Sequence, residues 1–368
     1  MDRTAAGKPV SNAPQIPIEN VYFLFCYAWN RFEEAQSIPI GGTPSPDLPN
    51  LLGRVLLHGA RALLRRGLDR NYRDVAEEIP TVRGHIDLGT SLRLRAKNVR
   101  RIACEFDELS NNVLHNQIIK ASLKRLARGN SIDPKLAHEL VLTAQRMGGV
   151  SDIWLERSAF ARVQLHRNNA YYDLLLKVAE LAFDCLLPDP AAGGFAFHDV
   201  LRDETKMARV FEDFVRNFYR AEQREFVVAP LTISWDAIEV STTGAGRLPT
   251  MIVDVYLRSA HRRLIIDTKY YAKALQQSLY GSESFQSANL YQLFSYLKNA
   301  AADPAFAGCE GMLLYPQVGQ VLKETFWIQG HEVTVATLNL DQPWRRVSDA
   351  LLALLSPPNP IATVSNAA

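Results

Sequence analysis

Between Thr250 and Tyr271 the chain reads TMIVDVYLRSAHRRLIIDTKYY, with apolar and polar positions alternating on both sides of a short polar break. The runs Met251–Arg258 and Arg263–Tyr271 are predicted strands joined by the turn Ser259–Arg262. Symmetric closure of that turn sets Leu257 opposite Leu264, Val255 opposite Ile266, and Asp254 opposite Asp267. Side chains alternate along a strand. Met251, Val253, Val255, Leu257, Leu264 and Ile266 are therefore expected on one apolar face, and Asp254, Asp267 and Lys269 on the other. Two acids directly opposite each other repel, and Lys269 relieves only part of that. One reading is a solvated charged face on an edge hairpin. The other is a divalent cation between the acids, with Lys269 serving a water or a phosphate.

The flanking segments are helical in period. Glu204–Ala221 has apolar residues at 207, 210, 211, 214, 215 and 218, with Glu212 beside that stripe. Ser287–Leu297 places Gln292 and Tyr296 on one helical face. Leu51–Gly67, Asn111–Arg128, Pro134–Met147, Tyr171–Leu187 and Gln342–Leu355 are further predicted helices, the first ended by Gly67. Val21–Phe32 is apolar and aromatic, and its pattern leaves strand and helix open. Strands are expected around Glu78–Ile86 and Arg100–Asp107. Between them lies the basic run Leu92–Arg101, with Arg93, Arg95, Lys97, Arg100 and Arg101, which by itself reads as a solvated face. Gly311–Pro316 is a predicted strand, and Glu324–Gln329 with His331–Asn339 a hairpin turned at Gly330. Residues 1–16 read as loose, Gly41–Pro49 as a loop, Ala191–Gly194 as a joint after a Pro188-Asp189-Pro190 break, and the last dozen residues as a tail.

Composition narrows the class. The chain has 368 residues, enough for two domains, and is 47% apolar. Its first residues lack the apolar core of a signal peptide, and no apolar run is long enough to span a membrane. The four cysteines show no metal-ligand spacing and read as buried thiols of a cytoplasmic protein. Residues 1–166 hold 23 Lys+Arg against 17 Asp+Glu, and residues 167–368 hold 18 against 22. The half with the paired acids is thus net acidic. DNA affinity needs cations that neutralise phosphates, so an acidic half that acts on DNA points to help from a partner. No G-x-x-x-x-G-K-[ST] phosphate loop is present, which argues against a motor.

The order Glu212, Asp254, Asp267-Thr268-Lys269, Gln292 and Tyr296 is similar to that of PD-(D/E)xK nucleases. Longer runs carry a more specific likeness: PIENVYFLFCYAWN at 17–30, IPTVRGHIDLGTSLR at 79–93, FDELSNNVLHNQIIKASL at 106–123, residues 248–271, and SANLYQLFSYL at 287–297. Together they resemble the McrC family, the nuclease subunit of 5-methylcytosine-specific restriction systems. The resemblance implies an α/β chain in which an N-terminal mixed α+β stalk domain (1–165) precedes a PD-(D/E)xK endonuclease core (166–356) and a tail (357–368). It implies Mg²⁺ held by Asp254, Asp267 and the Thr268 carbonyl, Lys269 as a catalytic group, and Glu212, Gln292 and Tyr296 in support. It also implies a McrB-type AAA+ GTPase hexamer whose pore the stalk enters and whose GTP hydrolysis it stimulates. That partner would read the methylated double-stranded DNA, and the basic run becomes a candidate contact to it. The family's usual alanine is replaced by Thr268, expected to point away from the site, and Val253 stands where the nuclease class often has proline. A second reading keeps the fold and the partner but makes the nuclease inert, leaving an activator of the ring.

Overall fold

In the computed structural model of the chain, the aromatic run that left strand and helix open is a helix, α1 (Ile18–Ala28). The structure describes residues 16–33, 47–189, 194–198, 200–238, 247–270, 275–277, 283–317 and 321–356. The segments expected as loose start, most of the Gly41–Pro49 loop, most of the Ala191–Gly194 joint and the C-terminal tail lie outside these residues. The chain forms two compact units, residues 33–198 and residues 1–32 with 199–368.

In the unit 33–198, α2 (Leu48–Arg66) begins where Asp47 accepts a hydrogen bond from Asn50 N, at 3.1 Å, and ends at Gly67 with φ 95°. A three-stranded sheet follows, formed by β1 (Asn71–Ile79), β2 (His85–Ile86) and, after α3 (Leu88–Ala96), β3 (Ile102–Ser110). Its order is β1-β3-β2, antiparallel throughout. The strand expected at Glu78–Ile86 is therefore two strands parted by a turn. Gly84, at φ 68°, sits in that turn, and a Cβ there would strike the Glu105 carbonyl. Within the basic run, Arg93 and Arg95 lie in the last turn of α3. Cations there complement the helix dipole. The body of this unit comprises α2, α4 (Leu114–Ala127), α5 (Pro134–Gln145), α6 (Arg157–Ala161) and α7 (Asp173–Cys185), closed by the hairpin β4 (Leu186–Asp189) and β5 (Gly194–Phe197). Pro188 is thus inside a two-stranded edge hairpin rather than in a break.

The other unit is built on α8 (Glu204–Glu222) and a sheet. In chain order come β6 (Val227–Ala229), β7 (Thr232–Ile233), β8 (Met251–Ile252), β9 (Val255–Arg258), β10 (Arg263–Thr268), β11 (Leu275–Gln277) and β12 (Glu283–Phe285). Then follow α9 (Ser287–Ala300), β13 (Glu310–Pro316), β14 (Lys323–Ile328), β15 (His331–Leu338) and α10 (Trp344–Leu354). The six-stranded sheet runs β14-β15-β13-β10-β9-β6. Strands β10, β13 and β15 are parallel to their neighbours in that group, and the outer pairs are antiparallel. The hairpin β14–β15 turns at Gln329 and Gly330, both at positive φ, as the glycine predicts.

The units divide the chain differently from the expected boundary near 165. Helix α1 belongs with the later residues. Asn20 Nδ2 donates to Leu340 O and Gln342 O, each at 2.7 Å, and Tyr27 OH donates to Glu222 at 2.6 Å. Tyr27 also packs against Phe214, Phe218 and Trp344. Helix α7, expected to open the second domain, belongs instead to 33–198. Its apolar stripe is buried against α2 and α4, and such long-range pairing leaves no local mark in sequence. All four cysteines are buried, and none is in a disulfide. No helix among the described residues is long and apolar enough to cross a membrane.

Candidate active site

The hairpin β9–β10 closes in the expected register: Leu257 pairs with Leu264 and Val255 with Ile266. The ladder ends there, one pair short of Asp254 and Asp267. At Val253 the chain changes partner, its N–H donating to Leu231 O at 3.1 Å, and β8 beyond it pairs with β7. This kink alters the side-chain phase. Met251 and Val253 join the core of Tyr256 and Ile265, not that of Val255 and Leu257 as strict alternation predicts. The kink also frees Asp254 to turn its carboxylate onto β10. Its Oδ2 accepts from Thr268 N at 2.8 Å and from Thr268 Oγ1 at 3.0 Å. The Thr268 hydroxyl, expected to point away, is therefore a direct partner of Asp254.

Strand β10 lies between β9 and β13 with a helix on each face. Leu264, Ile266, Thr268 and Tyr270 alternate to one side, where Tyr270 meets Phe211 of α8 at a ring separation of 6.0 Å. Ile265, Asp267 and Lys269 alternate to the other, under α9. Asp267 is fully buried, and neither of its carboxylate oxygens has a hydrogen-bond partner. Lys269 Nζ stands 2.8 Å from Oδ2 as an ion pair. It also donates to Gln292 Oε1 at 3.1 Å, and Gln292 Nε2 donates to Tyr296 OH at 2.7 Å. The i, i+4 pair on α9 thus continues the chain of contacts from Asp267 through Lys269.

Glu212 sits on α8, whose buried stripe is Met207, Phe211, Phe214, Val215 and Phe218. Its carboxylate is held by Arg216, one turn on, and Arg216 also binds Asp213 at 2.7 Å. The same guanidinium donates from Nε to the Asp254 carbonyl at 2.8 Å, tying the helix to the kink. Electrostatics follow from this crowding. Burial pushes the Asp267 carboxyl up to about 7; Lys269 opposes the rise, while Asp254 and Glu212 add to it. Burial and then Asp254 raise Glu212 as well, against the pull of Arg216. Three carboxylates thus converge on a site with two cations, each already engaged.

The residues present fit a hard divalent cation. In the buried Asp267 carboxylate Oδ1 has no partner and Oδ2 faces Lys269 alone, and these oxygens are the donors such an ion would engage. Mg²⁺ uses one or two protein carboxylates and fills its shell with water and phosphate. A group of three or more His, Cys, Asp or Glu arranged around one metal position is absent among the described residues. Glu212 is engaged by Arg216, which leaves Asp254 and Asp267 as the acids on and beside β10.

The comparisons with known proteins bear on most of the chain. Residues 20–316, which contain every member of this cluster, match the model of the McrBC 5-methylcytosine restriction system component family. The chain is also 30% identical over 339 residues to the type IV methyl-directed restriction enzyme EcoKMcrBC of Escherichia coli K12, covering 92% of this chain and 97% of the relative. The chain belongs to the McrBC family. Its fold is similar to a solved half-complex of a tetradecameric assembly of Thermococcus gammatolerans McrB AAA+ hexamers with bound McrC. That likeness has a TM-score of 0.57 at 16% identity, over 92% of this chain and 76% of the other.

In this McrBC-family chain, sequence reasoning missed Arg216. A Glu-x-x-x-Arg spacing reads as an ordinary helix ion pair. Its bond to the Asp254 carbonyl is tertiary and leaves no spacing signal. The basic residues Arg93, Arg95, Lys97, Arg100 and Arg101 belong to the unit 33–198, and all five are exposed. Arg101 donates to Glu78 O at 3.3 Å.

Proposed function

We propose that this chain is the nuclease subunit of a restriction complex directed to 5-methylcytosine DNA, with a PD-(D/E)xK-type site that cleaves phosphodiester bonds with Mg²⁺. The observation that carries the reading is the convergence of Asp254, Asp267 and Lys269 at one end of β10, with Asp267 buried and facing Lys269 alone. Asp254, Asp267 and the Thr268 carbonyl would hold the cation. When bound, it polarises a phosphate oxygen and makes water a better nucleophile. Lys269 holds its ammonium beside this site through Gln292, placing fixed positive charge where charge develops on the scissile phosphate. Arg216 positions Asp254 by its backbone. Glu212 adds negative potential that favours cation capture.

The family, the relative's methyl-directed restriction activity and the AAA+ partner of the Thermococcus protein support a McrB-type GTPase hexamer as partner here. In this reading residues 33–198, with the exposed basic run on and after α3, engage the ring and raise its GTP hydrolysis, and the partner reads the methylated base. The test is cleavage of methylated duplex DNA by chain plus partner with GTP and Mg²⁺. Asp254→Ala is expected to abolish cleavage and leave GTPase stimulation intact. Undiminished cleavage by that variant would sink the assignment, and GTPase stimulation with no cleavage by the wild type would make the chain an inert activator.

A further inference from the structure

Away from the carboxylate cluster, the unit 33–198 carries a cavity of about 260 Å³ lined by Lys124, Arg125, Arg128, Asp152, Trp154 and Phe195, among others. Trp154 is 84% exposed, the most exposed tryptophan among the described residues. A large aromatic side chain left in water forfeits the burial that normally retains it in a fold. Three cations line the same cavity against one carboxylate. Asp152 is engaged by Lys124 at 2.7 Å, which leaves two arginines uncompensated in the lining. Arg125 is held rigidly, its guanidinium 4.4 Å from the Phe183 ring centroid and 4.2 Å from that of Phe195, with one Nη donating to Leu186 O. Its Nε is buried without a hydrogen-bond partner. Arg128 is exposed nearby.

A preorganised guanidinium that lines a cavity beside a second, exposed arginine is a ready anion contact. An exposed indole beside it offers a flat face to a π-system. One polymer presents both at nucleotide spacing: a nucleic acid strand, whose bases stack and whose phosphates pair with Arg. In a duplex the bases already stack on each other, so an unpaired segment suits the indole. We propose that this cavity binds single-stranded DNA, one base stacked on Trp154 and the adjoining phosphate held by Arg125 and Arg128. The inference rests on the nuclease reading only in taking DNA as the polymer. It supplies, on the basic half of the chain, a DNA contact that the acidic half does not favour.

The experiment uses the full chain in EDTA, so that no cleavage intervenes, and a fluorescein-labelled thymidine oligonucleotide read by anisotropy across a salt series. Trp154→Ala is expected to weaken binding about tenfold, with Trp154→Phe retaining most of the affinity. Arg128→Ala is expected to make the log–log salt slope shallower by about 0.7. Circular dichroism of each variant should match the wild type, since both side chains are at the surface. Two results overturn the proposal: no binding by the wild type at about 50 mM salt, or unchanged affinity in Trp154→Ala, which together with lost stimulation of the AAA+ partner would make the patch a protein interface. The nuclease reading fails separately, by cleavage that survives Asp254→Ala. Binding that depends on Trp154 in a chain that cleaves nothing keeps this inference and discards that one.

Discussion

Replacing Asp267 by Asn should stabilise the metal-free protein at alkaline pH while removing its activity. The perturbation deletes a charge that the fold buries without a hydrogen bond and only partly offsets with Lys269. Raising the carboxyl from its ordinary 3.8 to about 7 corresponds to roughly 4 kcal/mol of opposition to the ionised form, at 1.36 kcal/mol per unit. An amide restores part of that cost, since it also arrives without partners and removes the ion pair to Lys269, so the net gain should be about 1–3 kcal/mol. The sign follows from linkage. A folded-state value above the unfolded one gives stability that is complete below pH 3.8 and is lost as pH rises through about 7. The wild type should therefore lose stability relative to the variant between these limits, and the two should converge near the acidic end. Denaturant unfolding of both proteins in EDTA at a series of pH values measures this. Added Mg²⁺ should then raise the wild-type midpoint and leave the variant's in place. If Asn destabilises at pH 8, or if the difference is independent of pH, Lys269 outweighs burial and Asp267 is an ordinary ionised partner.

The remaining predictions follow from the same contacts. Lys269→Ala should slow cleavage about 10²–10³-fold at saturating Mg²⁺, because its charge acts on the transition state; full recovery in excess Mg²⁺ would reduce Lys269 to tuning metal occupancy. A fragment of residues 33–198 should raise GTP turnover of the AAA+ partner without nuclease activity, and neutralising Arg93, Arg95, Arg100 and Arg101 together should weaken that effect more as salt is lowered. Equal turnover curves for the two fragments would return the basic run to a solvated face. Gly59→Ala, which by helix propensity alone gains about 1 kcal/mol, should instead cost about 1–3 kcal/mol, because its Cβ would run into Leu175 of α7. Thermal unfolding should show Leu175→Ala partly rescuing it.

Local pattern settled a good deal. The turn Ser259–Arg262 fixed which residues of β9 and β10 face each other, since side-chain period and turn length leave one symmetric register. The amphipathic stripe of α8, the cap at Gly67, the hairpin turn at Gly330, and the Gln292–Tyr296 pair on α9 were equally legible, as each depends on residues within one or two turns of chain. The family itself was written in the longer runs. Tertiary structure decided the rest. Alternation states that one face of a strand is apolar, but it does not say that β13 lies beside β10 or that α9 covers the polar face, and those two neighbours bury Asp267 and raise its pKa. The kink at Val253 exists because the chain there exchanges β10 for Leu231 as partner, and it turns Asp254 toward Thr268. Arg216 and the placement of α1 depend on partners 38 and more than 300 residues away. Periodicity records how a residue meets water, whereas the chemistry of a site depends on which distant groups displace that water.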